Sequence, residues 1–337
     1  MESLECNVLL VGQIYLDTIL NVPHFPEEDH KLRATRMEQR RGGNTANTAE
    51  ILAQFPKIRP WCMSALGPKI TTKSLIHDME DAGINTSTCL FRNEPTPSSY
   101  IIQSNTTGSR TIISSTTIND ITVEEFAKEI ETKMTSSDRT TPPFNWVHFE
   151  GRNIDQVVQQ IDWLNDKAIA DGWRDQLVIS VELEKPDREH IDWLMPKGDV
   201  VFFSKLFAER RGYDNAATFL HDIKAQCKAK AIIYCTWGSH GATCLSPDNT
   251  LHHAPAIKTE RVIDAIGAGD TFIAGIIFSL LRNMSLSLSL KFACELASRK
   301  VAQQGFSGLA KQAMITMLLP DDGGDDDNDT NDQRHST

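Results

Sequence analysis

No CxxC pair occurs in this sequence, and its seven cysteines are scattered along the chain. That gives neither a disulfide framework nor a zinc-ligand spacing. Long apolar runs are missing as well. Val8–Val11 is far too short for a signal segment or membrane anchor, the start lacks a basic region, and no later window offers an uninterrupted span. Excess positive charge is also absent. The formal net charge is -11, and residues 321–337, with seven aspartates against Arg334, carry most of it. The mildly acidic remainder argues against nucleic-acid and membrane partners. A reduced cytoplasm is the expected compartment, and no internal repeat is visible.

The chain of 337 residues fits one sizeable α/β domain with an appendage as well as two domains. Cys6–Val11 reads as a buried strand ending at Gly12. From residue 146 the alternation is regular: strand WVHFE, helix 154–170, strand LVISVEL, helix near 187–195, strand DVVFFS, helix 214–229, strand AIIYCTW. Such spacing means βαβ units and a parallel sheet. Segment 18–41 and the pair 98–103 and 109–113, turned at Gly108, have no helical period. They are expected to form a small sheet projecting from the main domain, a lid or dimer platform. The last clear helix spans 287–304, and the acidic, apolar-free tail is expected to be disordered.

The stretch VIDAIGAGDTF carries the chemistry. A β-rich start runs into Gly267-Ala268-Gly269, then Asp270, then an apolar run that reads as a buried helix. The N-terminus of such a helix points free N–H groups and a positive dipole end at the turn, a place for phosphate. Asp270 beside it is suited to taking a proton from a hydroxyl that attacks phosphorus, and the helix end is expected to favour its charged form. The plain alternative is a helix cap. Upstream, Arg41-Gly42-Gly43-Asn44-Thr45-Ala46-Asn47 opens another helix, with Asn44 and Asn47 on one face able to meet hydroxyls. Asn44 as a mere cap is an equal reading there. In parallel sheets ligands bind beyond the carboxyl ends of the strands. Asp17, Glu150–Asn153, Glu184–Pro186, Ser204-Lys205, Trp237-Gly238 and the Gly267–Asp270 turn all fall on that rim.

Asp264, GAGD and Thr271-Phe272 resemble the signature of the ribokinase-like carbohydrate kinases, with Ala265 and Ile266 where two threonines are common. Up to about residue 310, VLLVGQIYLD, FPEED, QRRGGNTAN, GSRTI, FEGRN, VELEKP, GDVVFFSK and GFSG are similar to the ketohexokinase branch of that family. The resemblance implies a three-layer αβα fold with a mostly parallel central sheet and a small β lid. Residues 1–16, 45–97 and 118–315 would form the kinase domain, 17–44 and 98–117 the lid, and 316–337 the tail. The implied activity is phosphorylation of the C1 hydroxyl of a furanose ketohexose, typically fructose, with ATP and Mg²⁺, a monovalent cation being an open option. Asp17, Gly43, Asn44 and Asn47 would hold the sugar, Asp270 would be the base, and Asp29 would reach in from the lid of a partner in a homodimer.

For ATP the resemblance implies Arg110 and Lys205, the turn Gly238-Ser239-His240-Gly241, and the anion turn Gly267-Ala268-Gly269. Without the resemblance, residues 236–241 read as an ordinary turn between strands, and His240 as a solvent-facing residue of it. No magnesium ligands are assigned, since the family's N-x-x-E position here reads Ser204-Lys205-Leu206-Phe207, as in ketohexokinases. Ile273 and Val301 also depart from the branch pattern. A kinase for ribose, an aldohexose or a nucleoside, or a sugar-binding pseudokinase, are the competing readings. A nucleoside would need an apolar slot beside the sugar, where RGGN-x-x-N and EGRN put polar groups.

Overall fold

A computed structural model describes residues 5–107, 109–134 and 141–318. Gly108, part of the polar loop after residue 133, and the tail beyond residue 318 lie outside the described residues. In chain order the strands are β1 (Cys6–Val11), β2 (Tyr15–Val22), β3 (Arg36–Gly42), β4 (Ile58–Met63), β5 (Ala65–Leu66), β6 (Leu90–Phe91), β7 (Ser98–Ser104) and β8 (Arg110–Ser115). They continue with β9 (Trp146–Glu150), β10 (Val178–Leu183), β11 (Val200–Phe203), β12 (Ile232–Thr236), β13 (Ala242–Leu245) and β14 (Leu251–Ala254). The helices are α1 (Asn44–Leu52), α2 (Lys69–Asp81), α3 (Val123–Lys133), α4 (Ile154–Ala170), α5 (Lys205–Glu209), α6 (Ala216–Ile223), α7 (Ala268–Leu281), α8 (Leu286–Val301) and α9 (Leu309–Leu318).

The central sheet has eight strands in the order β14-β13-β12-β11-β10-β9-β1-β4. From β4 to β12 every pairing is parallel, and β13 and β14 close one edge antiparallel. Alternation along each strand splits the core in two. In β1, Leu9 and Val11 enter the cluster shared with α3, α4 and α6, while Val8 and Leu10 enter the one shared with α1, α7 and α8. Strand period two therefore accounts for three layers, since both faces of the sheet are apolar and both need a helical cover. Burying α7 on all sides follows from its sequence, which leaves ten consecutive residues, Asp270 to Ser279, buried.

A second sheet of four strands runs β3-β2-β7-β8. β2 leaves directly from β1 through Gly12–Ile14, and β3 enters α1 directly at Gly43. The sheet is thus joined to the main body at the two places where sequence motifs had put sugar-binding residues.

Several elements differ from expectation. No α-helix spans 187–195; a single 3₁₀ turn, Ile191–Leu194, stands there, because His190 before it is left-handed at φ 60°. The helix expected over 214–229 begins only at Ala216, where the Asn215 side chain caps it by accepting from Thr218 N at 2.8 Å, and it ends at Ile223. The apolar stretch before GAGD is not a strand. Ile263 and Asp264 instead donate to the carbonyl of Val301 at the end of α8, so the segment crosses a helix end rather than joining a sheet. The structure adds β4, β5, β6, α5 and α9, the last of which runs past residue 316, where the acidic tail was expected to begin.

Candidate active site

Gly43 sets the geometry at the start of α1. It caps α1 at φ 103°, and a Cβ there would lie 2.3 Å from the backbone oxygen of Gln13. Only glycine permits that approach. Asn44 then becomes the first helical residue rather than the cap, with its Nδ2 donating to Glu182 at 3.2 Å and Glu184 at 3.1 Å. One turn on, Asn47 donates to Asp270 Oδ2 at 2.7 Å and accepts from Arg41 Nη1 at 3.2 Å. Arg41 is itself ion-paired to Glu50. Asp17, opposite Arg40 in the β2–β3 ladder, rests its carboxylate against Gly42, where a Cβ would come within 2.3 Å of it. Burial raises the Asp17 pKa, against the pull of Arg40, Ser99 and Arg41.

Asp270 is the third residue of α7. The helix cap is Gly267, left-handed at φ 77°, and no side chain makes a capping bond there. The capping explanation for Asp270 therefore fails on geometry. Its carboxyl is buried, and its pKa is pushed up to about 7. Desolvation dominates the rise; the Asn47 hydrogen bond opposes it, the carboxylates of Glu184 and Glu150 add to it, and Arg41 lowers it. The helix terminus does not win, contrary to the expectation that it would favour the charged form.

A base acts ionised, so kcat/KM, which reports the free enzyme, should fall as pH drops through about 7. Glu184 raises the Asp270 pKa, so Glu184→Gln should move this acid limb to lower pH. A limb that stays put, or moves up, would contradict the assignment of Asp270 as the titrating base.

These groups share one cleft of about 1100 Å³. Its walls bring together Asp17, Gly43, Asn44, Asn47, Arg110, Gly267, Ala268, Gly269 and Asp270. A Cβ on Gly269 would meet nothing within 4 Å, so the start of α7 is open to a ligand. Six expected residues are not among its walls. Lys205 pairs with Glu209 at 3.3 Å and lies over the Trp237 ring, while Gly238, Ser239 and His240 form an exposed 3₁₀ turn between β12 and β13. Asp29, left-handed at φ 61°, sits exposed in the β2–β3 connection. Gly241 is needed for packing: a Cβ there would come 2.0 Å from the Ala254 oxygen. Ser204, at the departed N-x-x-E position, caps α5 by accepting from Phe207 N at 3.0 Å, which is a structural use.

A family model described as "pfkB family carbohydrate kinase" matches residues 6–139 and 186–312, which take in both sides of the cleft. The chain belongs to the pfkB family of carbohydrate kinases. It is 34% identical to the ketohexokinase of Mus musculus over 307 residues, covering 90% of this chain and 99% of that one. Among solved structures, a ribokinase from Arabidopsis thaliana complexed with ribose and ATP superposes with a TM-score of 0.74 at 16% identity, covering 94% of this chain and 100% of the other. A putative ribokinase from Agrobacterium tumefaciens gives a TM-score of 0.74 at 21% identity, covering 93% and 97%. At such identities the structures establish the shared fold.

Within this pfkB kinase, the sequence reading passed over one group in the cleft. Glu182 is buried beneath Asn44, its pKa raised well above the ordinary range by burial and by the nearby Glu184, Asp270 and Glu150. The signal was present in VELE, where acidic residues alternate with Val181 and Leu183 in a strand whose other face is core. Among the described residues no group of three or more His, Cys, Asp or Glu side chains is arranged to hold a metal ion. Magnesium that arrives on a nucleotide needs only one or two protein carboxylates. Glu182 and Glu184 fit that need, because a cation would relieve their mutual repulsion.

Proposed function

We propose that this kinase transfers the γ-phosphoryl group of ATP to the C1 hydroxyl of a furanose ketohexose, fructose being the best fit. The observation that carries the reading is Asp270: a buried carboxylate at the open start of α7, held at 2.7 Å by Asn47 from the helix that carries the sugar-side motif. Asp17, Asn44 and Asn47 offer acceptors and donors to ring hydroxyls, and Gly43 lets the sugar approach the backbone. Asp270 accepts the proton of the attacking hydroxyl. The amides at Gly267–Gly269 and the positive end of α7 stabilise negative charge on the transferred group, where Arg110 also faces the cleft. Mg²⁺, when bound with ATP, would neutralise phosphate charge near Glu182 and Glu184. The likeness to the mouse ketohexokinase supports the ketose; the polar lining around Asn44 and Asn47 speaks against a nucleoside. Intact Asp270 speaks against a pseudokinase.

Assays of a sugar panel with Mg-ATP, with the phosphorylated carbon read by NMR, test the proposal. Fructose is expected to be the preferred substrate and C1 the modified carbon. Phosphorylation of ribose at its terminal hydroxyl with no ketohexose turnover would replace this reading by the neighbouring one.

The lid is proposed to pair with a second copy in the cytoplasm. Tyr100 and Ile113 lie directly opposite each other across β7 and β8 and are 48% and 56% exposed, with Met37 on the same face at 67%. Such a patch marks an interface. Asp29 would then enter the partner's cleft, and closure would exclude water from the reaction. The free protein should sediment as a dimer, and Ile113→Asp should yield a monomer with impaired sugar turnover. A fully active monomer would remove Asp29 from the mechanism.

A further inference from the structure

Lys300 is fully buried, 0% exposed, in the last turn of α8, and no step described so far uses it. Its Nζ donates to the backbone oxygen of Asp264 at 2.9 Å and to Asp264 Oδ2 at 2.9 Å, and it lies 5.1 Å from the centre of the Phe306 ring. Asp264 in turn accepts from Ile266 N at 3.0 Å and from Gly305 N at 3.4 Å. Phe306 packs so closely on Gly267 that a Cβ there would come 2.5 Å from the ring. Gln54 donates to the Phe306 oxygen at 2.8 Å, and Val301 accepts from both Ile263 and Asp264. Every one of these contacts converges on the segment that leads into the anion turn.

From this arrangement we infer that Lys300 is a positioning residue for phosphoryl transfer, its ammonium serving as a built-in cation that sets the Gly267–Gly269 turn through Asp264 and Phe306. The inference rests on the proposed kinase chemistry of that turn. A segment with no strand to anchor it needs another source of rigidity. An ammonium bound at once to a carboxylate, a carbonyl and an aromatic face supplies three fixed directions. A free monovalent cation has no claim on the Asp264 carboxylate while Lys300 holds it. The charge sits at the C-terminal end of α8, where the helix dipole favours it.

Turnover of the unaltered enzyme with Mg-ATP and fructose establishes the underlying chemistry first, so failure there is distinct from failure of this inference. Lys300→Met keeps length and apolar volume but removes the charge. It should lower kcat by roughly 10²-fold, the scale of a displacement of about 1 Å in a reacting site, while sugar affinity measured by calorimetry stays near that of the parent. Lys300→Ala leaves room for a small amine. Ethylammonium should restore part of its kcat, and tetramethylammonium at equal ionic strength should not. A purely architectural Lys300 would give variants that melt earlier without rescue by amine. Wild-type kcat in Lys300→Met, or a lost kcat in folded Lys300→Ala that ethylammonium leaves unchanged, would overturn the assignment.

Discussion

Asp270→Asn should lower kcat by roughly 10²–10⁴-fold, the range for a positioned acid–base group, with far less change in sugar affinity. Asparagine keeps the shape and can still meet Asn47, now as an amide pair, but cannot take a proton. The proposed sugar contacts Asp17, Asn44 and Asn47 remain in the cleft. The loose transition state asks little of the base until late, so the loss should sit near the lower part of that range when Mg-ATP is saturating. Stability should hold or rise. The folded-state pKa of Asp270 is raised from 3.8 to about 7, so the cost of burying the ionised form grows as pH climbs between those values and levels off above about 7, and the neutral amide escapes that cost. A folded Asp270→Asn protein with near wild-type kcat would end the base assignment.

The second large effect is expected at Gly43. In Gly43→Ala the new methyl would meet the Gln13 oxygen at 2.3 Å and the Ile14 Cα at 3.1 Å, and both are backbone atoms. Nothing nearby can rotate away, so residue 43 itself must move, carrying the start of α1 with it. Asn44 and Asn47 would lose register with Glu184 and Asp270. Misplacement of about 1 Å costs about 10²-fold in rate, and the strained backbone adds about 1–3 kcal/mol of destabilisation. Gly212→Ala separates the two effects: it too is left-handed, at φ 87°, but a Cβ there meets nothing within 4 Å. It should cost stability alone. Equal kcat for Gly43→Ala and the parent, at matched folding, would show that the turn tolerates displacement.

Much of this architecture was legible because it rests on local pattern. Cys6–Val11 and Trp146–Glu150 are strands as read, since both faces of a central parallel strand are buried and the sequence there is mostly apolar, with Asn7, His148 and Glu150 as the exceptions. The paired motifs RGGN and GAGD were legible through glycines whose left-handed geometry the fold requires. The ionisation of Asp270 was not. Its pKa is raised chiefly by burial in the folded core, and Glu184 and Glu150, which belong to other segments, add to the rise. Nor was the course of residues 262–266. Val-Ile-Asp-Ala-Ile has β-forming composition, yet the amides of Ile263 and Asp264 go to the carbonyl of Val301 at the end of α8. Lys300 gave no sign of burial, because a lysine at a helix end ordinarily lies in solvent.

The bond between Asn47 and Asp270 spans 223 residues, and that between Asn44 and Glu182 spans 138. Closing loops of this length costs entropy that only the completed central sheet can repay. Both bonds therefore need the N-terminal helix α1 and the strands and helices of the second half of the chain in place together. A leading fragment that ends before α7 lacks Asp270 and so leaves Asn47 without that partner.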